Sequence, residues 1–302
     1  AVWNAQHIHA VIITFKEPFG TRGRGGYFDG MGIIRDVMQN HLLQVLSLIA
    51  MDKPLSNSPD DIRDEKTRVL RCVQPAYPQN CILGQYTAGG LEPHGYLEDP
   101  TVRPESRTPT FAACVLYIQN ETWAGVPFIL KAGKALDERK AEVRIQFKPM
   151  GTNIFESQSS SKEMDRNELV IRMQPKEAIY LKMNIKTPGL RMDIIQSELD
   201  MTYKERYKGV GIPEAYERLL MDAINGDQQH FVRSDELRAA WSVFDPLLQF
   251  IDDKECSMTL HKYPAGSRGP PAADQLAAQM GYVRSKSYVW HPADSTEHHG
   301  TS

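Results

Sequence analysis

Between residues 110 and 186 the hydrophobic pattern settles on a period of two, and that stretch limits the chain to a fold built on a sheet. TFAACVLYI, VPFIL, AEVRIQF, NELVIRMQP and EAIYLKMNIK follow one another as strand candidates, several alternating apolar with polar. SQSSSKEMDR (157–166) reads as the loop between two of them, and connections this short favour antiparallel neighbours. Ala10 to Phe15 (AVIITF) is a further buried strand that ends before Pro18. Helical patterns lie on both sides. A helix of about 20 residues is expected over 31–51, with Ile34, Met38, Leu42, Val45 and Leu48 recurring at spacings of three and four. A polar helix from Asp60 to Leu70 has Ser58 as its cap, and three more follow at 215–226, from 234, and at 272–281, the last closed by Gly281. Residues 84–109, rich in Gly, Pro and charge, read as a surface excursion. The expected fold class is α+β, a large, mainly antiparallel sheet with flanking helices, spanning 1–302 as one domain.

Charge narrows the partners. With 35 Lys+Arg against 38 Asp+Glu the net charge is −3, so no basic surplus is available to hold nucleic acid. No apolar run approaches the ~18–20 residues of a membrane helix. Four cysteines (Cys72, Cys81, Cys114, Cys256) in 302 residues, without a CxxC, suggest free thiols and a reducing, cytoplasmic location. Cys72 and Cys81 could bridge in principle, whereas Cys114 sits in an apolar run and reads as core. The sequence opens without Met, almost directly into a strand, as a piece of a longer protein would.

Three features bear on chemistry. The glycine-rich loop GTRGRGGYFDG (20–30) makes neither GxGxxG nor a P-loop, so it reads as a tight turn and not a phosphate cradle. His41 shares the stripe of Ile34, Met38, Val45 and Leu48, which would turn it inward, either as a satisfied core histidine or as a desolvated general base. Asp36, five residues earlier, would lie roughly 140° round an α-helix from it, badly placed to orient it. KAGKALDERKAEVRIQFK is the densest charge feature, with six cations: Lys131, Lys134, Arg139, Lys140, Arg144 and Lys148. It could be a lysine-protected strand edge. Strand parity sets Arg139 on the face opposite Lys140 and Arg144, as two anions on two faces would require. Arg172 with Gln174, and Tyr180 with Lys182, share faces in the next strands. A face with Lys140, Arg144, Arg172, Tyr180 and Lys182 suits a phosphorylated aromatic ligand, although a plain polar face fits the same pattern. His7, His9, His298 and His299 lack carboxylate or thiol partners, so no metal is expected.

ITFKEPFGTRGRGGYFDGMGIIRDVMQNHLLQ, PFILKAGKALDERKAEVRIQF, NELVIRMQP, SELDMTY, HFVRSDELRAAW and GSRGP together resemble the glucose-6-phosphate dehydrogenase family over nearly the whole chain. The resemblance implies NADP-dependent oxidation of glucose 6-phosphate to 6-phosphogluconolactone, the first step of the oxidative pentose phosphate pathway. It makes His41 (QNHL) the general base for the C1 hydroxyl proton, and Glu17, Asp36, Lys134, Arg139 and Gln174 substrate contacts. It also implies a second, structural NADP held by Lys131, Lys140, Arg144, Arg172, Tyr180, Lys182, Asp200, Arg268 and Trp290, and a homodimer or homotetramer. Parity agrees with the split of Arg139 from Lys140 and Arg144, but it leaves Arg172 and Gln174 on one face although they would belong to different ligands.

Departures from the family pattern qualify this. The N-terminal coenzyme domain and the RIDHYLGKE motif, with its phosphate contacts and the aspartate that orients the base, are absent from the sequence. The chain alone is therefore expected to be inactive. Lys131 stands where arginine is usual, and Arg284 replaces a stacking tyrosine. Two rival readings are a non-catalytic NADP-binding and dimerising module and, less favoured by the resemblance, a sugar-phosphate isomerase using His41.

Overall fold

A computed structural model describes residues 1–90, 92–149, 165–190, 194–202, 207, 211, 213–253 and 255–284. Its strands are β1 (Ile8–Lys16), β2 (Cys81–Thr87), β3 (Phe111–Tyr117), β4 (Pro127–Gly133), β5 (Lys140–Phe147), β6 (Glu168–Gln174), β7 (Ala178–Lys186), β8 (Ile194–Thr202) and β9 (Leu260–Pro264). They form one sheet in the order β8-β7-β6-β5-β1-β4-β3-β2-β9. β1 runs parallel to β4 and β2 parallel to β9; the other pairs are antiparallel. The helices are α1 (Gly25–Asp29), a π-helix (Ile34–Leu42) continuous with α2 (Leu43–Ala50), α3 (Pro59–Arg71), α4 (Ala215–Asn225), α5 (Ser234–Asp252) and α6 (Pro271–Gln279). The α+β expectation holds.

Alternation along the strands decides what each face packs against. Val11 and Ile13 of β1, Phe128, Leu130 and Ala132 of β4, and Val143 and Ile145 of β5 point to one side. There they form the main core with Ile34, Met38, Leu42 and Leu46 and with Phe244 and Leu247 of α5. On the other side Ile12, Val115 and Ile129 meet Leu276 and Ala277 of α6 in a smaller cluster. Trp123, fully buried, ties the end of α2 to this frame: its Nε1 donates to the Ala50 carbonyl at 2.9 Å and its ring meets Phe128 edge-on at 5.2 Å. Ser58 caps α3 as expected, its Oγ accepting from the Asp61 amide at 3.2 Å.

Several expectations change. β2, β8 and β9 are additional to the expected strands: β2 and β9 carry no clean period-two signal, whereas β8 alternates Ile195, Leu199 and Met201 with Gln196, Glu198 and Asp200. β5 is an interior strand between β6 and β1, so its lysines and arginines do not guard an edge. The expected single α-helix over 31–51 begins as a π-helix, and this alters the phase. Val37, Met38, Leu42, Leu43, Leu46 and Ser47 point inward, while Leu48 and His41 are exposed. The wider turn, with i→i+5 hydrogen bonds, moves His41 off the buried stripe. It also makes residues five apart neighbours on successive turns, so the 140° separation of Asp36 and His41 does not apply. The glycine-rich loop is a packed turn: Gly23 has φ +79°, and a Cβ on Gly25 would meet Asp99 Oδ2 and a Val102 methyl at 2.5 Å. All four cysteines are free thiols, Cys114 fully buried.

Candidate functional site

Because β1 and β4 are parallel and in register through Lys16↔Gly133, their carboxyl ends emerge side by side. The next residues are Glu17 and Lys134, and the Glu17 amide donates to the Gly133 carbonyl at 3.0 Å. The Lys134 ammonium donates to Glu17 Oε2 at 2.6 Å and lies 3.3 Å from Asp36 Oδ2, the latter carried by the π-helix. It also stands 5.2 Å above the Phe28 ring of α1, a cation–π contact. Glu17, Asp36 and Lys134 therefore converge as three half-buried charged groups, two acceptors and a cation. His41 lies over Phe15, one residue before the end of β1, with ring centroids 6.4 Å apart and planes 16° from parallel. Among the described residues no carboxylate forms an ion pair with His41.

Gln174 joins this side through a bulge. The β5–β6 register shifts between Ala141 and Glu142: Arg172 pairs with Glu142, but Gln174 pairs with Ala141. The extra residue turns Gln174 to the face of Ala141 and Phe15, while Arg172 keeps the face of Glu142. Phe15, Ala141 and Gln174 thus form one row across three strands, about 10 Å from first to last at ~4.8 Å per strand. Simple parity could not separate Arg172 from Gln174; the bulge does. Arg139 is exposed just before β5.

The opposite face carries the second set. The row Lys131–Thr14–Glu142–Arg172–Ala178 crosses five strands, and Lys16–Lys140, Glu168–Lys182 and Tyr180–Asp200 pair in neighbouring rows. Lys140, Arg144, Arg172, Tyr180 and Lys182 share this face, as parity predicted. The sequence reading missed the acids between them. Arg144 Nε donates to Glu142 at 2.7 Å and its Nη1 to Glu168 at 3.0 Å, and Lys140 lies 2.6 Å from Glu138. The same alternation that grouped the cations puts Glu142 and Glu168 among them, and could have revealed them. Burial opposes the charge of Glu142, yet Arg144 and Lys140 hold its carboxyl below the ordinary value. Burial, then repulsion from Arg144, lowers Lys182 to about 8. Burial likewise lowers Lys131, which lies 3.4 Å from Asp274; Arg268 lies 3.3 Å from the same carboxylate. Arg172 Nη2 donates to the Tyr180 hydroxyl at 3.3 Å. Asp200 is exposed on β8, and Trp290 lies outside the described residues. Among the described residues no cluster of three His, Cys, Asp or Glu is arranged to hold a metal, and no helix is long and apolar enough to cross a membrane.

The nine-stranded sheet with helices packed on it is an α+β domain, and solved structures share it. A solved glucose-6-phosphate dehydrogenase in complex with its substrate glucose-6-phosphate shares it at TM-score 0.88 and 49% identity, covering 94% of this chain and 58% of that one. A glucose-6-phosphate 1-dehydrogenase from Mycobacterium avium shares it at TM-score 0.80 and 33% identity, over 96% of this chain and 58% of the other. The chain belongs to the glucose-6-phosphate dehydrogenase family, its residues 1–291 matching the family description "Glucose-6-phosphate dehydrogenase, C-terminal domain". A cytoplasmic glucose-6-phosphate 1-dehydrogenase of Arabidopsis thaliana is 55% identical over 291 residues, 96% of this chain and 54% of the relative. The enzyme of Aspergillus niger is 55% identical over 300 residues, 98% of this chain and 57% of its own length. The chain thus spans about half the length of the curated relatives it matches.

Proposed function

We propose that residues 1–302 form the substrate-binding C-terminal part of an NADP-dependent glucose-6-phosphate dehydrogenase located in the cytoplasm. The observation that carries this is the convergence of Glu17, Asp36 and Lys134 beside the exposed imidazole of His41. Carboxylates accept from sugar hydroxyls and a lysine donates to sugar or phosphate oxygens, so the cluster suits a hydroxylated anion. Arg139 and Gln174 extend it along the same side. His41 takes the proton from the C1 hydroxyl, leaving the carbonyl of the lactone; its stacking on Phe15 fixes the ring plane and its exposure leaves it open to the sugar. NADP, bound mainly by a domain outside this chain, supplies the hydride acceptor.

The opposite face holds a second, structural NADP through Lys131, Lys140, Arg144, Arg172, Tyr180, Lys182, Asp200, Arg268 and Trp290. In support, Lys131 and Lys182 are both disfavoured as cations where they stand, so a bound phosphate would relieve each. Two copies pair as a homodimer, or further as a homotetramer, through the helix-side face of β7 and β8. There Ile179 with Met201, Leu181 with Leu199 and Ile185 with Ile195 form an apolar ladder, and Leu199 is 67% exposed.

Calorimetric titration of the chain with NADP, with and without glucose 6-phosphate and with NADPH monitored, tests this reading. Micromolar NADP binding without NADPH formation is expected. Absence of binding removes the second nucleotide site. Turnover by the chain alone contradicts the assignment of the coenzyme site to another domain, and turnover of sugar phosphate without NADP favours an isomerase.

A further inference from the structure

π-Helices are rare and occur mostly as single-turn bulges at functional sites, so a nine-residue one calls for support from outside itself. α5 provides it. Arg35 Nη2 donates to Asp252 Oδ2 at 2.5 Å. One turn on, Gln39 Nε2 donates to the Trp241 carbonyl at 3.3 Å and to Asp245 Oδ1 at 3.2 Å. Just past the π-helix, Gln44 Nε2 donates to Glu236 Oε1 at 2.7 Å, and the same oxygen takes the Lys66 ammonium of α3 at 2.8 Å. The donors sit at 35, 39 and 44, spaced by four and five, as a helix wider than 3.6 residues per turn requires. Their acceptors descend α5 at 252, 245 and 236. Each inner rung has one buried member: Gln39 is 6% exposed and Glu236 fully buried, while Gln44 is half-buried and Asp245, like Asp252, reaches in from the exposed side of α5.

The other side of the same helix presents Asp36 to Lys134 and His41 to Phe15. Relaxed into an α-helix, the segment would swing Asp36 and His41 roughly 140° apart, and both could no longer face the ends of β1 and β4. We propose that Gln39 and Asp245, with Gln44 and Glu236 as the second rung, are positioning residues: a polar clamp from α5 that holds the π register and keeps Asp36 and His41 together over the sheet. Among the described residues, the hydrogen bonds and ion pairs of these four side chains run between α5, α3 and this helix and not to Glu17, Asp36, Lys134 or His41. The proposal rests on the reading of His41 as the base only for its effect on turnover, not for its effect on geometry.

The test compares Asp245→Ala with Asp245→Asn in the full-length protein to which the chain belongs. Asparagine keeps an oxygen that can accept from Gln39; alanine does not. Two readouts are taken: the NMR signal of the His41 ring with its contact to Phe15, and kcat and KM for glucose 6-phosphate. The alanine variant is expected to lose the His41–Phe15 contact and about ten- to a hundredfold in kcat, the scale of a misplacement near 1 Å; the asparagine variant is expected to keep both within about twofold. Gln39→Met, which keeps the volume and removes the donor, should repeat the alanine result and serves if that variant fails to fold. An unmoved His41 signal in both the alanine and methionine variants, or equal losses in alanine and asparagine, overturns the clamp. A moved His41 signal with unchanged turnover upholds the clamp and removes the reading of His41 as the base.

Discussion

The Lys66–Glu236 pair is the most heavily buried charge pair near the site, with side-chain exposures of 6% and 0% and 2.8 Å between charges. Glu236 Oε1 takes both Lys66 and Gln44, while Oε2 has no hydrogen-bond partner. Replacing Lys66 with methionine leaves the carboxylate buried with one amide donor. Breaking a buried pair in this way costs about 3–5 kcal/mol, because the remaining charge has lost its counter-charge without regaining water. Against the ~5–15 kcal/mol that holds a typical domain folded, that is a large fraction, a shift of roughly two to three and a half decades in the unfolding equilibrium at 1.4 kcal/mol per decade. The double variant Lys66→Met/Glu236→Leu removes both charges and gives up mainly the Gln44 bond, worth about 1 kcal/mol. Urea unfolding of the four members of the cycle should therefore show the double variant more stable than Lys66→Met alone, with a coupling energy of at least about 2 kcal/mol. Additive losses, or a Lys66→Met variant within about 1 kcal/mol of the parent, would refute the reasoning that Glu236 is dry and dependent on Lys66.

Two further outcomes follow from local features. Lys182 should show an NMR titration midpoint near 8; between there and the ordinary lysine value the unfolded chain holds a proton that the folded chain has released, so this residue makes stability rise with pH across that window, and a midpoint above 10 would contradict its burial. Ser58→Ala should lower stability by about 1 kcal/mol through loss of the cap on the Asp61 amide, with Ser58→Asp restoring it, both read from the urea midpoint at unchanged slope.

What the residues disclosed in advance were features with local causes. Of the five strands from 110 to 186, β5, β6 and β7 were legible because apolar and polar side chains alternate, and β3 and β4 because short apolar runs bounded by turn residues mark strands buried on both faces. The cap at Ser58 was legible because a cap needs only its own first turn. That Lys140, Arg144, Arg172 and Lys182 share one face was legible from parity alone. What failed was set from far away in the chain. The π-helix depends on Gln39 and Gln44 meeting α5 about two hundred residues later, and nothing within 31–51 announces a partner at 236 or 245. The inward reading of His41 failed with it, since a 3.6-residue period was imposed on a wider turn. β2 and β9 pair across about 177 residues and neither alternates cleanly; β8 does alternate, but its apolar side is largely exposed and it is placed in the sheet by its pairing with β7. The β5–β6 bulge, which sorts Gln174 from Arg172, shifts a register that sequence spacing assumes to be regular.

The central claim is that His41 removes the proton in a site made by Glu17, Asp36 and Lys134. The most direct measurement is NADPH formation by the full-length protein carrying His41→Asn. A fall in kcat of about 10²–10⁴ is expected, the usual contribution of a positioned general base, with KM for glucose 6-phosphate within a few-fold of the parent. Retention of kcat within threefold would contradict the account.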